Sequence, residues 1–143
     1  MLMADLGHLL HDIVMHMDRD ADARLSPLGL TLRRFVAMTV IAEHPGITSR
    51  QLAAPLGISE PAVSQALKPL AARELIYDAS PQGSGRSINW QLSSEGERLF
   101  SEARDRLGND FDDLVRRTGL NPDLLAGQLQ SILNELKKPI GEK

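Results

Sequence analysis

Apolar residues fall at helical spacing from the start of the chain. Leu6, Leu9 or Leu10, Ile13, Met17 and Ala21 form one stripe bordered by acidic residues over residues 1–24, ending near Ser26-Pro27. Thr31 can cap a second helix over residues 32–44. Its Leu32, Phe35, Val36, Met38, Val40 and Ile41 leave few polar sides, which predicts a buried helix, and Pro45-Gly46 stops it. Thr48 and Gln51 then make a capping box, with Ile47 placed to staple onto Leu52. That short helix buries Leu52 and Leu56 and ends at Gly57. Ser59 caps the next one, Pro61 sits in its first turn where no N–H is needed, and Val63, Leu67 and Leu70 face inward. Residues 75–79 have strand composition, residues 80–85 (SPQGSG) are turn formers and Gln, and residues 86–92 alternate, with Ile88, Trp90 and Leu92 on one side. Ser93 or Ser94 caps a long helix carrying Leu99, Phe100, Ala103, Leu107, Phe111, Leu114 and Val115 to Gly119. Asn121-Pro122 opens a last helix with Leu125, Leu129, Ile132, Leu133 and Leu136, and the tail from Pro139 is expected to fray.

Two short capped helices around a Gly-containing turn describe a helix-turn-helix, and a hairpin directly behind the second helix describes a wing. The inward stripe of that second helix turns Pro61, Ser64, Gln65 and Lys68 outward. Gln can bond adenine through two atoms, Ser can meet several base edges or a phosphate, and Ala62 can touch a thymine methyl. A small, polar, Arg-flanked wing tip suits a phosphate track or a minor groove. The plainer reading, polar surface on an amphipathic helix, competes evenly for the helix alone and loses ground once the hairpin follows it.

The fold class expected is mainly α with a small β-hairpin wing: a winged helix-turn-helix with N- and C-terminal dimerisation helices. Residues 1–30 would be the N-terminal dimerisation helix, 31–93 the DNA-binding module, 94–138 the C-terminal dimerisation helices and 139–143 a tail. The terminal helices carry wider apolar stripes than a module of about fifty residues can cover, so the same helices of a second copy are the expected cover, in a two-fold homodimer. Terminal helices folded back on a monomer are the alternative.

The segments ARLSPLGLT (residues 23–31), HPGITSRQLAAPLGIS (44–59) and RSINWQLSSEG (86–96), in this order and spacing, resemble the MarR (multiple antibiotic resistance regulator) family of winged helix-turn-helix transcription factors over nearly the whole chain. The resemblance implies dimerisation through the terminal helices, and a small aromatic or phenolic effector in the crevice between dimer helices and module, where Phe35 and Met38, with Met15 or His11 opposite, would stand; core packing is the plainer reading for each of these residues taken singly. It places the wing arginine at Arg86. Together with the outward face, the candidate DNA-contacting set is Thr48, Ser49 and Arg50; Ser59, Pro61, Ala62, Ser64, Gln65 and Lys68; and Gln82, Ser84, Arg86 and Ser87. Three positions depart from the family pattern. Ser84 stands where the wing usually has Asp, Glu74 stands where a Gly usually closes the recognition helix, and Pro69 inside that helix removes the bond to the Gln65 carbonyl and is expected to kink or loosen it.

Composition then narrows the function. With 42% apolar and 24% charged residues the chain is of ordinary globular composition, and no apolar run approaches a membrane span. Asp5, His8, His11 and Asp12 interrupt the N-terminal stripe, so it is no signal peptide and a cytoplasmic protein is expected. The absence of Cys excludes disulfides, thiolate zinc sites and cysteine-based peroxide sensing. His8, His11, Asp12 and His16 could share a helix face, but a solvated face is the plainer reading, so no metal and no cofactor is expected. No G-x-S-x-G, phosphate-cradling loop or recurring His/carboxylate pairing is present, so no enzyme is expected. The net charge is −3, and residues 45–95 carry four basic and four acidic residues, so this stretch is neutral. Helix N-termini and backbone N–H groups also hold phosphates, which keeps duplex DNA with a pseudo-palindromic operator as the expected partner. A winged helix that docks proteins without specific DNA binding is the alternative.

Overall fold

The structure, a computed structural model, describes residues 5–81 and 87–139. Among these residues the chain forms α1 (Leu6–Leu25), a 3-10 turn (Ser26–Leu28), α2 (Leu32–Glu43), β1 (Ile47–Thr48), α3 (Ser49–Leu56), α4 (Glu60–Ala72), β2 (Ile76–Asp78), β3 (Asn89–Leu92), α5 (Ser94–Leu107), α6 (Asp110–Arg117) and α7 (Pro122–Leu136). This is the expected class, helices with a small antiparallel sheet. Two compact bodies divide at Gly108.

In the first body the predicted caps all form. Thr48 Oγ1 accepts from the Gln51 N–H at 3.1 Å while the Thr48 N–H donates to Gln51 Oε1 at 3.0 Å, satisfying two donors that the start of α3 would leave orphaned. Ser59 Oγ accepts from the Ala62 N–H and Thr31 Oγ1 from the Arg34 N–H. Beneath the caps, Met38 and Ile41 of α2, Leu52 of α3, Val63, Leu67 and Leu70 of α4 and Leu99 and Ala103 of α5 close one core. The turn between α3 and α4 is set by Gly57 at φ 65, which lets the Ile58 N–H reach back to the Ala53 carbonyl at 3.1 Å.

The same closure ends α4, but with the wrong residue for it. The Leu75 N–H donates to the Leu70 carbonyl at 3.0 Å, and the residue that must turn left-handed between them is Glu74, at φ 57. A side chain there strains the backbone by roughly 1–2 kcal/mol, offset in part by the extra unfolded-state freedom of a glycine. Glu74→Gly is therefore expected to stabilise the protein by about 0.5–1 kcal/mol, a rise in Tm of roughly 1–4 °C. Thermal unfolding followed by circular dichroism checks it, and an unchanged or lower Tm would mean that the Glu74 side chain contributes more than its backbone costs.

Three expectations are corrected. The long helix predicted from residue 94 to Gly119 is two helices, because Gly108 at φ 57 and Asn109 interrupt it although the apolar spacing runs on through the break. A strand was not anticipated at residues 47 and 48. There β1 pairs with β3, Ile47 opposite Trp90, so the sheet has the order β1-β3-β2. The wing's alternation stops short of Ile88, which is exposed, while Trp90 and Leu92 pack against the core. Pro69 lies within α4, whose helical run continues past it to Ala72.

Side-chain ties fix α1 and the first loop onto this body. The Arg24 guanidinium donates to the Arg106 and Leu107 carbonyls at the end of α5, at 3.4 and 3.2 Å. Asp22 Oδ1 accepts from the Leu32 N–H at 2.6 Å, and Arg73 Nη1, just beyond α4, donates to the Gly29 carbonyl at 3.2 Å. Only Leu25 of α1 is fully buried, leaving Leu6, Leu9, Ile13, Val14, Met15 and Met17 exposed. In the second body Asn121 Oδ1 caps α7 through the Asp123 and Leu124 N–H groups, and Leu124, Leu129, Ile132, Leu133 and Leu136 of that helix are exposed.

Candidate nucleic-acid interface

Because Val63, Leu67 and Leu70 are buried, the pitch of α4 presents Pro61, Ser64, Gln65 and Lys68 to solvent, with Ala62 half-buried beside them. No large apolar side chain lies among those four outward positions. Arg50 is exposed on the first turn of α3. The two N-cap residues of the predicted set, Thr48 and Ser59, spend one acceptor each on their own helices. Ser49 is half-buried, and its Oγ accepts from Trp90 Nε1 at 2.9 Å, so this side chain ties the wing strand to α3.

At the base of the wing, Asp78 Oδ1 accepts from the Ser80 hydroxyl at 2.6 Å and from the N–H groups of Ser80 and Asn89 at 2.9 and 3.1 Å. The Ser80 hydroxyl, then its N–H, then that of Asn89 hold the Asp78 carboxyl below the usual carboxylate range. This one carboxylate closes the hairpin across both strands, an organising contact that the sequence did not single out. Of the wing residues in the predicted set, Ser87 is exposed, and Gln82, Ser84 and Arg86 lie outside the described residues.

The predicted effector residues separate. Met38 is wholly buried in the core, whereas His11 and Met15 are exposed on α1. Phe35 is half-buried and stacks on Phe100 at 5.3 Å between centroids, with the Arg104 guanidinium 5.3 Å from the Phe100 ring on α5. An open cleft of about 820 Å³ lies elsewhere, lined by Asp18, Asp22, Thr31, Leu32, Arg33, Arg34, Val36, Leu56, Ala62, Gln65 and Ala66. It joins the start of α2 to the outward face of α4. Sequence reading passed over Arg33 and Arg34, although two cations in the first turn of a helix, against its dipole, are a legible oddity. His8 and Asp12 stand 3.3 Å apart, and among the described residues no group of three His, Cys, Asp or Glu side chains is placed to hold a metal. Among them, too, no single helix is long and apolar enough to cross a membrane.

Known proteins match this arrangement. A family model described as MarR family matches residues 28–87. The HTH-type transcriptional repressor Rv2887 of Mycobacterium tuberculosis is 32% identical over 100 residues, covering 70% of this chain and 72% of the relative. The chain belongs to the MarR family. Among solved MarR-family structures, that of M. tuberculosis Rv2887 in complex with salicylic acid has a TM-score of 0.69 at 27% identity, covering 94% of this chain and 97% of that one. The transcriptional repressor CouR, solved bound to a 23-mer DNA duplex, shares the fold at a TM-score of 0.76 and 23% identity, over 94% of this chain and 93% of that one. Membership in the MarR family makes the protein a transcriptional regulator built on a winged helix-turn-helix.

Proposed function

We propose that the protein is a two-fold dimeric repressor that reads a pseudo-palindromic operator with α4 and leaves it when a small aromatic or phenolic acid binds. The observation that carries this is the outward face of α4, polar and small at Pro61, Ser64, Gln65 and Lys68 above the buried Val63, Leu67 and Leu70. The 32%-identical relative is named a transcriptional repressor, and the same protein was solved with salicylic acid. In a dimer the two reading helices would enter successive major grooves, with half-site centres about 10 bp apart. Thr48, Ser49, Arg50 and Ser59 would hold phosphates near the starts of α3 and α4, while Ala62, Ser64, Gln65 and Lys68 meet base edges or flanking phosphates. Gln82, Ser84, Arg86 and Ser87 would follow the backbone or minor groove from the wing. The effector would sit against the half-buried Phe35, with His11 and Met15 of α1 contributed around it, and act by changing the spacing of the two modules.

Reading and holding separate by mutation. A side-chain amide paired to a base edge gives roughly 1–3 kcal/mol of discrimination, so Gln65→Ala should bring operator and scrambled DNA closer in affinity by roughly 5- to 150-fold. Arg86→Ala should weaken both equally and lower the salt slope by about one unit for each subunit on the DNA. Anisotropy titrations on both duplexes measure this. Wild-type protein that binds neither duplex with a steep salt slope would make the winged helix a protein-docking module instead.

A further inference from the structure

The first turn of α2 holds Leu32, Arg33 and Arg34. A helix start carries partial positive charge, so two arginines there oppose the dipole at a cost of a few tenths of a kcal/mol each. The backbone of that turn is otherwise well served: Thr31 Oγ1 accepts from the Arg34 N–H and Asp22 Oδ1 from the Leu32 N–H. Among the described residues neither guanidinium makes a hydrogen bond or an ion pair, in a chain where Arg24, Arg73, Arg98 and Arg116 all do. Among the described residues no hydrogen bond or ion pair of the fold uses the two cations that its electrostatics disfavour.

Their position supplies a use. They form one wall of the 820 Å³ cleft whose other wall is Ala62, Gln65 and Ala66 of the reading helix. A duplex read by Gln65 would pass beside this cleft, since Gln65 itself lines it. The rest of the module offers few cations: of the four basic residues between 45 and 95, Arg73 is turned to the Gly29 carbonyl and Arg86 lies outside the described residues, leaving Arg50 and Lys68 on exposed positions. The same cleft contains Asp18 and Asp22. Asp22 is occupied by the Leu32 amide, but Asp18 would repel a small anion that filled the cleft. A polyanion anchored by α4 and touching only the arginine rim avoids it.

We propose that Arg33 and Arg34 form a phosphate clamp, gripping the DNA backbone that flanks the half-site under α4. The clamp rests on the DNA-binding reading above and adds sequence-independent affinity to it. Each phosphate contact contributes about 0.9 to the slope of log affinity against log salt. Each position occurs twice in the dimer, so Arg33→Gln and Arg34→Gln should each lower that slope by about 1.8 and the pair by roughly 3.6, weakening operator and scrambled duplex by the same factor. Arg33→Lys/Arg34→Lys should keep the wild-type slope, because counterion release counts charge.

The test is an anisotropy titration of full-length protein on both duplexes at four salt concentrations, with Arg19→Gln on α1 as a charge-matched control and dimer content checked by sedimentation. A double Gln variant with the wild-type slope, beside wild-type protein that binds DNA steeply and loses specificity with Gln65→Ala, overturns the clamp and leaves the regulator reading standing. A double Lys variant whose slope falls as far as that of the double Gln variant also overturns it, since the loss would then be structural. Wild-type protein that binds neither duplex overturns the regulator reading and the clamp together.

Discussion

Gly96→Ala is expected to destabilise the protein by about 3 kcal/mol and to lower its Tm by roughly 6–12 °C. Gly96 lies in the first turn of α5, and a Cβ built there would stand 2.0 Å from the Leu75 carbonyl oxygen. The obstacle is backbone, so no side chain can swing aside. That carbonyl is held by the Ser93 N–H at 3.0 Å, and the Ser93 hydroxyl donates to the Glu74 carbonyl at 2.6 Å while accepting from the Gly96 N–H at 3.0 Å. Making room means moving α5 off the turn that ends α4, at the expense of these bonds, each worth about 1 kcal/mol net. The clasp also sets the angle between α5 and the reading helix, so folded variant protein should bind operator more weakly than its remaining stability explains. Thermal unfolding, with affinity measured well below the transition, checks both. A Tm within about 2 °C of the parent would mean that α5 shifts freely and that no rigid clasp exists.

Why the helix-turn-helix was legible and the rest less so follows from where each signal resides. Caps, staples and the turn after Leu56 are written within a few residues of where they act, so Thr48, Gln51, Gly57 and Ser59 could be assigned from sequence and take those roles. β1 is two residues long and exists only because Asn89 and Trp90 come to lie beside it, information held some forty positions away. The break at Gly108 was hidden by the apolar spacing itself, since Leu107, Phe111, Leu114 and Val115 continue the stripe of Leu99, Phe100 and Ala103. Periodicity reports which faces could be buried, and a break that preserves phase leaves it unchanged. The same limit applies to the sites. The outward face of α4 was visible because one apolar stripe defines its opposite. Met38, on a helix apolar on most sides, had no such reference, and core packing, the plainer reading of it, agrees with its full burial. Arg33, Arg34 and Gln65 share a cleft only through tertiary packing.

Ile132→Asp is expected to turn the dimer into monomer at assay concentrations and to abolish specific operator binding. Leu125, Leu129, Ile132 and Leu136 fall on one side of α7 at spacings of four, three and four, and Ile132 keeps 45% of its surface exposed in the single chain, Leu136 76%. With Leu124 and Leu133 also exposed, and Leu6, Leu9, Ile13, Val14 and Met17 exposed on α1, the chain presents far more apolar side-chain surface than isolated surface hydrophobics account for. Covering what remains of each such side chain is worth roughly 1 kcal/mol. In a two-fold interface every substitution occurs twice, so an aspartate at this seam removes two such contributions and adds two desolvated carboxylates. A loss of about 4 kcal/mol raises the dimer dissociation constant roughly 10³-fold. The monomer keeps an intact α3–α4 unit, so weak salt-sensitive binding to any duplex should survive while the preference for a pseudo-palindrome disappears. Sedimentation velocity with shift assays on whole and half operators measures both. If Ile132→Asp sediments as wild type and retains operator affinity, the apolar face of α7 is not the dimer seam, and some other surface must bring two reading helices to one site.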